Sequence, residues 1–318
     1  MNPTQKLFSL NREASRKQIS ISFGLMLASV AMATSSARAG TMQSYQATGN
    51  LGMEISAVNN APGALPAMSG TFTLSQIPPG AMVQKAYVYS ADWASSVSLN
   101  LSFGSSPGFF TAASPFQSDT STVINQLYAY RWDVTPAIVS APMSYSFNIG
   151  YAIPIGVQGN QIYGAALVVV WQDPLAPLST VTIVDGALQV GENTPTVVDT
   201  ETMTFSGLPA GQTSLYTFTV ADDAAGTSEV VQYNGNTVGG PVDENLNFTM
   251  GAGASLLVMN ATSVAGANTV SITSPADHFG WVFSASIVPE PTSLCLLSVG
   301  LATFFALRGL LIVRRRTN

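Results

Sequence analysis

The chain has 318 residues, 47% of them apolar and 9% charged, with 27 glycines and 18 prolines. That composition, at a mean hydropathy of +0.29, excludes a disordered polyelectrolyte, a collagen and a coiled coil. The formal charge of −6 hides a strong segregation: five of the 11 basic residues precede Gly40, four follow position 307, and only Lys85 and Arg131 lie between. From position 40 to 288, 15 acidic residues face those two, a net charge of −13. Such a surface repels nucleic acid, whose binding rests on phosphate neutralisation by Lys and Arg.

At the N-terminus a basic stretch ending at Arg16 and Lys17 precedes an apolar run over 19–33. That run has the length of a signal-peptide core and is short for a bilayer span. Ala37 and Ala39 flank Arg38 in an A-x-A pattern, whose small side chains suit the signal peptidase pocket, with the cut before Gly40. Residues 1–39 therefore read as an export signal. The sole cysteine, Cys295, lies outside the region 40–287, so that region has to be stabilised by burial and not by disulfides.

Residues 40–287 carry an all-β pattern of short alternating or β-branched runs bounded by Gly, Pro, Asn and Ser. Strands are expected over 43–51, 70–74, 82–91, 96–103, 128–133 and 143–151, then over 163–172, 180–185, 200–205 and 215–221. A last group is expected over 229–233, 245–250, 254–260, 269–273 and 280–288. A turn or two of helix is expected near 135–139, with Thr135 as cap and Pro136 in the first helical position. The fold class is an antiparallel β-sandwich, one large or two packed, with a candidate subdivision near 174–180. The nearly unbroken apolar run Ala165–Trp171 suits a central strand covered on both faces and not a porin strand, which alternates. Asn234-Gly235 reads as a hairpin turn, Asp185-Gly186 as a second, and Pro78-Pro79-Gly80 as a tight entry to the following strand.

Residues 77–93 (IPPGAMVQKAYVYSADW), 130–139 (YRWDVTPAIV), 162–174 (IYGAALVVVWQDP) and 181–187 (VTIVDGA) resemble an uncharacterised family of bacterial and archaeal surface domains. The shared order is strand, D-V-T turn, G-x-x-L-V-V strand and D-G turn, and the resemblance implies no activity.

Catalytic chemistry is sparse. One histidine, His278 beside Asp277, cannot build a zinc site or a Cys-His pair without a cysteine in the same region. No G-x-S-x-G elbow, P-loop or strand-linked G-x-G-x-x-G is present. The chain is thus expected to be no enzyme, with no catalytic residue, no metal site of recognised spacing and no cofactor. Asp222-Asp223, Asp243-Glu244, Asp185 with Glu192, and Asp199 with Glu201 can still supply oxygen ligands to calcium or act as solvated loop acids. Tyr87 and Tyr89 share one strand face, as do Tyr128, Tyr130 and Trp132. Exposed, the second group is a candidate platform for stacking glycan rings, and the chain an exopolysaccharide-binding module. Buried, it is core.

The C-terminus opens with Val288-Pro289-Glu290-Pro291, continues with 20 mostly apolar residues over 294–313, and closes on Arg314, Arg315 and Arg316. At ~1.5 Å per residue a helix over 294–313 measures ~30 Å, the thickness of a hydrocarbon core. Arg308 is near enough to the basic cluster for its stem to reach the same interface. Arginines stay on the cytoplasmic side, leaving the body of the chain outside. This order resembles the PEP-CTERM sorting tail of Gram-negative bacteria, over 31 of the 318 residues (288–318). The resemblance implies recognition by exosortase, a membrane protease, with transient single-pass residence in the inner membrane and then delivery to the cell surface or extracellular matrix. The expected role is that of an exported surface or matrix structural protein associated with exopolysaccharide and biofilm.

Overall fold

The computed structural model describes residues 41–59, 67–93, 98–104, 108–111, 117–119, 126–139, 141–152, 161–191, 199–222, 229–240, 253–274 and 279–290. Short β-favouring runs satisfy their backbone hydrogen bonds by pairing edge to edge and bury their apolar faces by packing sheet on sheet. Here they form seventeen strands in three antiparallel sheets among the described residues. The expected strand over 245–250 and the expected membrane helix over 294–313 lie outside these residues. No helix among the described residues is long and apolar enough to cross a membrane.

In chain order, β1 (Met42–Asn59) is followed by β2 (Ala67–Leu74), β3 (Met82–Trp93), β4 (Leu99–Phe103), β5 (Gly108–Thr111), β6 (Gln117–Asp119), β7 (Leu127–Asp133), β8 (Met143–Tyr151) and β9 (Gln161–Gln172). Across the turn at 173–177 come β10 (Leu178–Val190), β11 (Asp199–Leu208), β12 (Gly211–Asp222), β13 (Val230–Tyr233), β14 (Asn236–Gly239), β15 (Gly253–Ser263), β16 (Gly266–Ser274) and β17 (Phe279–Pro289). One sheet has nine strands in the order β15-β12-β17-β10-β1-β9-β3-β7-β6, and two have four, β11-β16-β13-β14 and β2-β8-β4-β5.

The long strand β1 joins the two parts. Its first half, Met42–Asn50, pairs with β10, and its second half, Leu51–Asn59, pairs with β9. At the changeover Asn50 is tied to the 173–177 turn by its side-chain amide, 2.7 Å from the Ala176 carbonyl, and by its own carbonyl, which accepts from Asp173 N–H at 3.0 Å. Gly52 pairs with Trp171 there, and the indole occupies the space a Cβ would need.

The two halves of the nine-stranded sheet face each other across a core. Ala166, Val168, Val170, Tyr87, Tyr89 and Ala129 on one side meet Val181, Ile183, Phe218, Val282, Phe283 and Ala285 on the other. Each half has a second core against its own four-stranded sheet, one around Phe72, Phe103, Trp132 and Phe147, the other around Phe205, Tyr233, Trp281 and Ile272. The result is two packed sandwiches that share β1, whose first half belongs to one and second half to the other. Strand β9 shows why its sequence lacks alternation: Ala165, Leu167 and Val169 face one core, and Ala166, Val168 and Val170 face the next.

The turns follow their residue types, with two exceptions. Asn234 (φ 51°) and Gly235 (φ 77°) make the two-residue connection between β13 and β14, and Gly80 (φ 84°) closes the Pro78–Ala81 turn. Gly235→Ala has open space for its methyl, so only the left-handed backbone opposes it, and denaturant unfolding should register a loss of about 1–2 kcal/mol. Asp185-Gly186, expected as a hairpin turn, lies inside the continuous strand β10 at a bulge against β17. A chain sandwiched between β1 and β17 keeps its ladder and absorbs the extra residue locally. The expected helix is a single 3-10 turn, Thr135–Ala137, with Val134 and not Thr135 at its N-cap position. Thr135 is held instead by Asp133, whose carboxylate accepts from its N–H at 3.1 Å and its hydroxyl at 2.6 Å.

Candidate functional site

Three places collect the functional side chains marked by the sequence: the aromatic face of β7, the seam between the sandwiches, and the end of β17.

Strand β7 presents Tyr128, Tyr130 and Trp132 to one side, as period-two geometry requires. That side is the core of the first sandwich, where the three are 7%, 0% and 3% exposed. Tyr130 and Trp132 stack with ring centres 6.1 Å apart. Tyr87 and Tyr89 are buried as well, in the seam. The glycan-stacking expectation for Tyr128, Tyr130 and Trp132 is therefore corrected: the four-stranded sheet of the first sandwich covers the face that a sugar ring needs. Beside them Asp92 is fully buried, within 3.2 Å of the Tyr151 hydroxyl. Burial, reinforced by the Asp92 charge, raises the pKa of both Tyr130 and Tyr151 above the usual phenol value.

The seam holds both cations of the acidic region. Arg131 on β7 and Lys85 on β3 flank the Tyr87 ring, with the guanidinium carbon 4.8 Å and the ammonium nitrogen 5.1 Å from its centre. Lys85 donates to Asp133 Oδ2 at 2.5 Å in a half-exposed pair. Arg131 donates to Asp185 Oδ2, crossing from the first sandwich to the second. The other oxygen of Asp185 accepts from the Tyr89 and Ser44 hydroxyls, each at 2.7 Å. Tyr89 also packs on Phe283 of the opposite half, ring centres 4.6 Å apart.

Burial pushes the Asp185 carboxyl above its ordinary value, and the Arg131 charge with the two hydroxyl bonds only partly offsets it. Tyr89 is driven well above its usual pKa by burial and then by Asp185. Asp133 moves the other way: its modest burial is outweighed by the bonds from Lys85 and Thr135, which hold it below the usual carboxylate range. Chemically the seam is a closed ion pair. Asp185 is fully buried and its oxygens are occupied, so it joins the sandwiches and does not face a substrate. In the sequence, the only sign of this pair is the isolation of Lys85 and Arg131 in an acidic region.

Two of the candidate calcium ligands have other partners among the described residues. Asp185 is committed to Arg131, and Asp199 accepts from Gly191 N–H at 3.0 Å at the neck of the 192–198 segment. Among the described residues no group of acidic, histidine or cysteine side chains could hold a metal. Glu192, Asp223, Asp243, Glu244, Asp277 and His278 lie outside the described residues, as do Ala37, Ala39, Gly40, Pro291, Arg308, Arg314, Arg315 and Arg316.

Of the segment 288–291, residues 288–290 are described, and they continue the sheet. Val288 is buried in the core of the second sandwich, and Val288 and Pro289 pair with Thr180 and Ser179 of β10. The next residue, Glu290, donates its N–H to the Leu178 carbonyl at 2.8 Å, and its carboxylate accepts from the Thr180 hydroxyl at 3.2 Å.

No family model and no curated protein matches the chain. Solved structures give distant likenesses. PNGase F, a glycosylasparaginase from Flavobacterium meningosepticum, is 11% identical with a TM-score of 0.25 over 80% of this chain and 96% of that one. A conserved protein of unknown function from Pseudomonas aeruginosa PAO1 is 9% identical, TM-score 0.28, over 80% and 97%. A β-porphyranase of glycoside hydrolase family 86 from Bacteroides plebeius is 12% identical, TM-score 0.25, over 69% of this chain and 38% of that one. Likeness at these scores carries no functional inference.

Proposed function

We propose that the chain is an exported, non-enzymatic surface or matrix protein, whose paired sandwiches are the passenger and whose C-terminus is the address. It is read at the inner membrane by exosortase and passed to the cell surface or the exopolysaccharide matrix. The observation that carries this reading is the order of the last 31 residues: Val288-Pro289-Glu290-Pro291, the apolar stretch 294–313, and Arg314, Arg315 and Arg316. Two features of the folded body support it. Strand β17, an interior strand of the nine-stranded sheet, runs directly into the motif. Both cations of the acidic region are paired with carboxylates, which leaves that region a large uncompensated negative charge, suited to a hydrated environment and repelling anionic polymers.

The test compares a Gram-negative host carrying exosortase with its exosortase-deleted sibling. The expected result is a C-terminally shortened form in the surface or released fraction of the first, and the uncut chain in the membrane fraction of the second. The same form in the same fraction of both strains would overturn the proposal.

A further inference from the structure

The placement of Val288, Pro289 and Glu290 bears on where the chain can be cut, and it depends on the sorting proposal only for the identity of the natural protease. Proteases bind several residues around the scissile bond as an extended strand whose backbone groups are free to pair with the enzyme. The start of this motif is an extended strand already paired with its own protein. On the β10 side, Pro289 is in register with Ser179 and the Glu290 N–H is taken by Leu178. On the β12 side the approach is close: a Cβ on Gly211 would lie 3.3 Å from the Pro289 carbonyl oxygen and 3.4 Å from Val288 Cγ1. Below, Val288 is in the core, and at the end the Glu290 carboxylate receives the Thr180 hydroxyl. The backbone is thus paired on the β10 side, the Val288 side chain is buried and the Glu290 carboxylate is bonded, while the Pro289 ring is exposed.

We infer that the folded body shields Val288, Pro289 and Glu290 from proteolysis, so that any processing of the native chain leaves Glu290 on the passenger. Cutting breaks one C–N bond, the carbonyl carbon taking oxygen from water and the departing amine a proton. For the bonds between 287 and 290 that geometry is reached only after the end of β17 has peeled from β10 and Val288 has left the core. The glutamate is then read while docked on β10, and a misfolded passenger presents a different substrate from a folded one.

Three measurements on the full chain in detergent micelles and in the host decide it. In hydrogen exchange the Glu290 amide should exchange at least ~10-fold more slowly than in a free peptide of the same sequence; exchange at the peptide rate would overturn the inference. Limited digestion with proteinase K should leave a core whose mass places its C-terminus at Glu290 or beyond, and a core ending before Glu290 is the contrary result. The form released by an exosortase-bearing host should likewise end at Glu290 or later, whereas an end at Val288 or Pro289 overturns the shielding. A chain that remains uncut in that host counts against the sorting proposal alone, because the exchange and digestion results still decide the shielding.

Discussion

Replacing Arg131 by methionine is expected to cost about 3–5 kcal/mol of unfolding free energy, a fall in Tm of roughly 10 °C for a body of this size. The cause is less the lost attraction than the charge left behind. Asp185 is fully buried, and without the guanidinium its carboxylate keeps only the Tyr89 and Ser44 hydroxyls. The reciprocal change, Asp185→Asn, should cost less, about 1–2 kcal/mol, because the Arg131 side chain is 21% exposed and can reach water while lying over Tyr87. The double variant should be more stable than Arg131→Met alone, since it deletes the stranded charge. Burial already raises the Asp185 pKa in the folded state, and loss of Arg131 raises it further. Stability tied to a carboxyl of that kind is fully present below the unfolded value of ~3.9 and declines as pH rises through the folded value. The deficit of Arg131→Met should therefore shrink on acidification toward that range. A deficit independent of pH, or a larger loss for Asp185→Asn than for Arg131→Met, would contradict the ion-pair account of the seam.

The strands are legible in the sequence because period and punctuation agree along most of the chain. The 165–171 run reads as covered on both sides for a simple reason: six consecutive buried positions have no polar face to show. The pairing partners are not legible. Strand β1 is expected over 43–51 and runs to Asn59, because its second half changes partner and continues in the other sandwich, where β9 beside it holds 52–59 extended. The short strands β5, β6 and β14 exist by pairing with β4, β7 and β13 and carry little pattern of their own.

The same division holds for the site. Asp185-Gly186 has hairpin chemistry locally, yet two neighbouring strands hold β10 straight, and the aspartate is turned inward toward an arginine 54 positions away. The place of Val288 in the core is partly foreseeable, since the expected last strand runs to 288. The docking of Glu290 is not, because its partners Leu178 and Thr180 lie more than a hundred residues upstream. For Tyr128, Tyr130 and Trp132, alternation tells that they share a face but not which face is covered. That depends on where the β2-β8-β4-β5 sheet comes to rest, and the sequence of β7 holds no information about it.

Trp132 separates the two roles of that face most sharply. Truncation to alanine removes a large, 3% exposed side chain from the core of the first sandwich together with its stacking on Tyr130, and should cost about 3–5 kcal/mol. Loss of polysaccharide retention by that variant would thus be a folding effect. Trp132→Phe is the informative partner. The indole nitrogen is buried without a hydrogen-bond partner, so phenylalanine gives up ring volume but strands no acceptor, and about 1–2 kcal/mol is the expected loss. In a binding module built on this face, phenylalanine would present a smaller stacking surface and weaken retention in proportion. In a core, the variant folds and retention on a polysaccharide resin matches the parent. Denaturant unfolding and resin retention, measured on the same preparation, should therefore part company for Trp132→Phe: a small loss in the first and none in the second. Weakened retention at near-parental stability would mean that the face opens in solution and that the β2-β8-β4-β5 sheet is a lid rather than a wall.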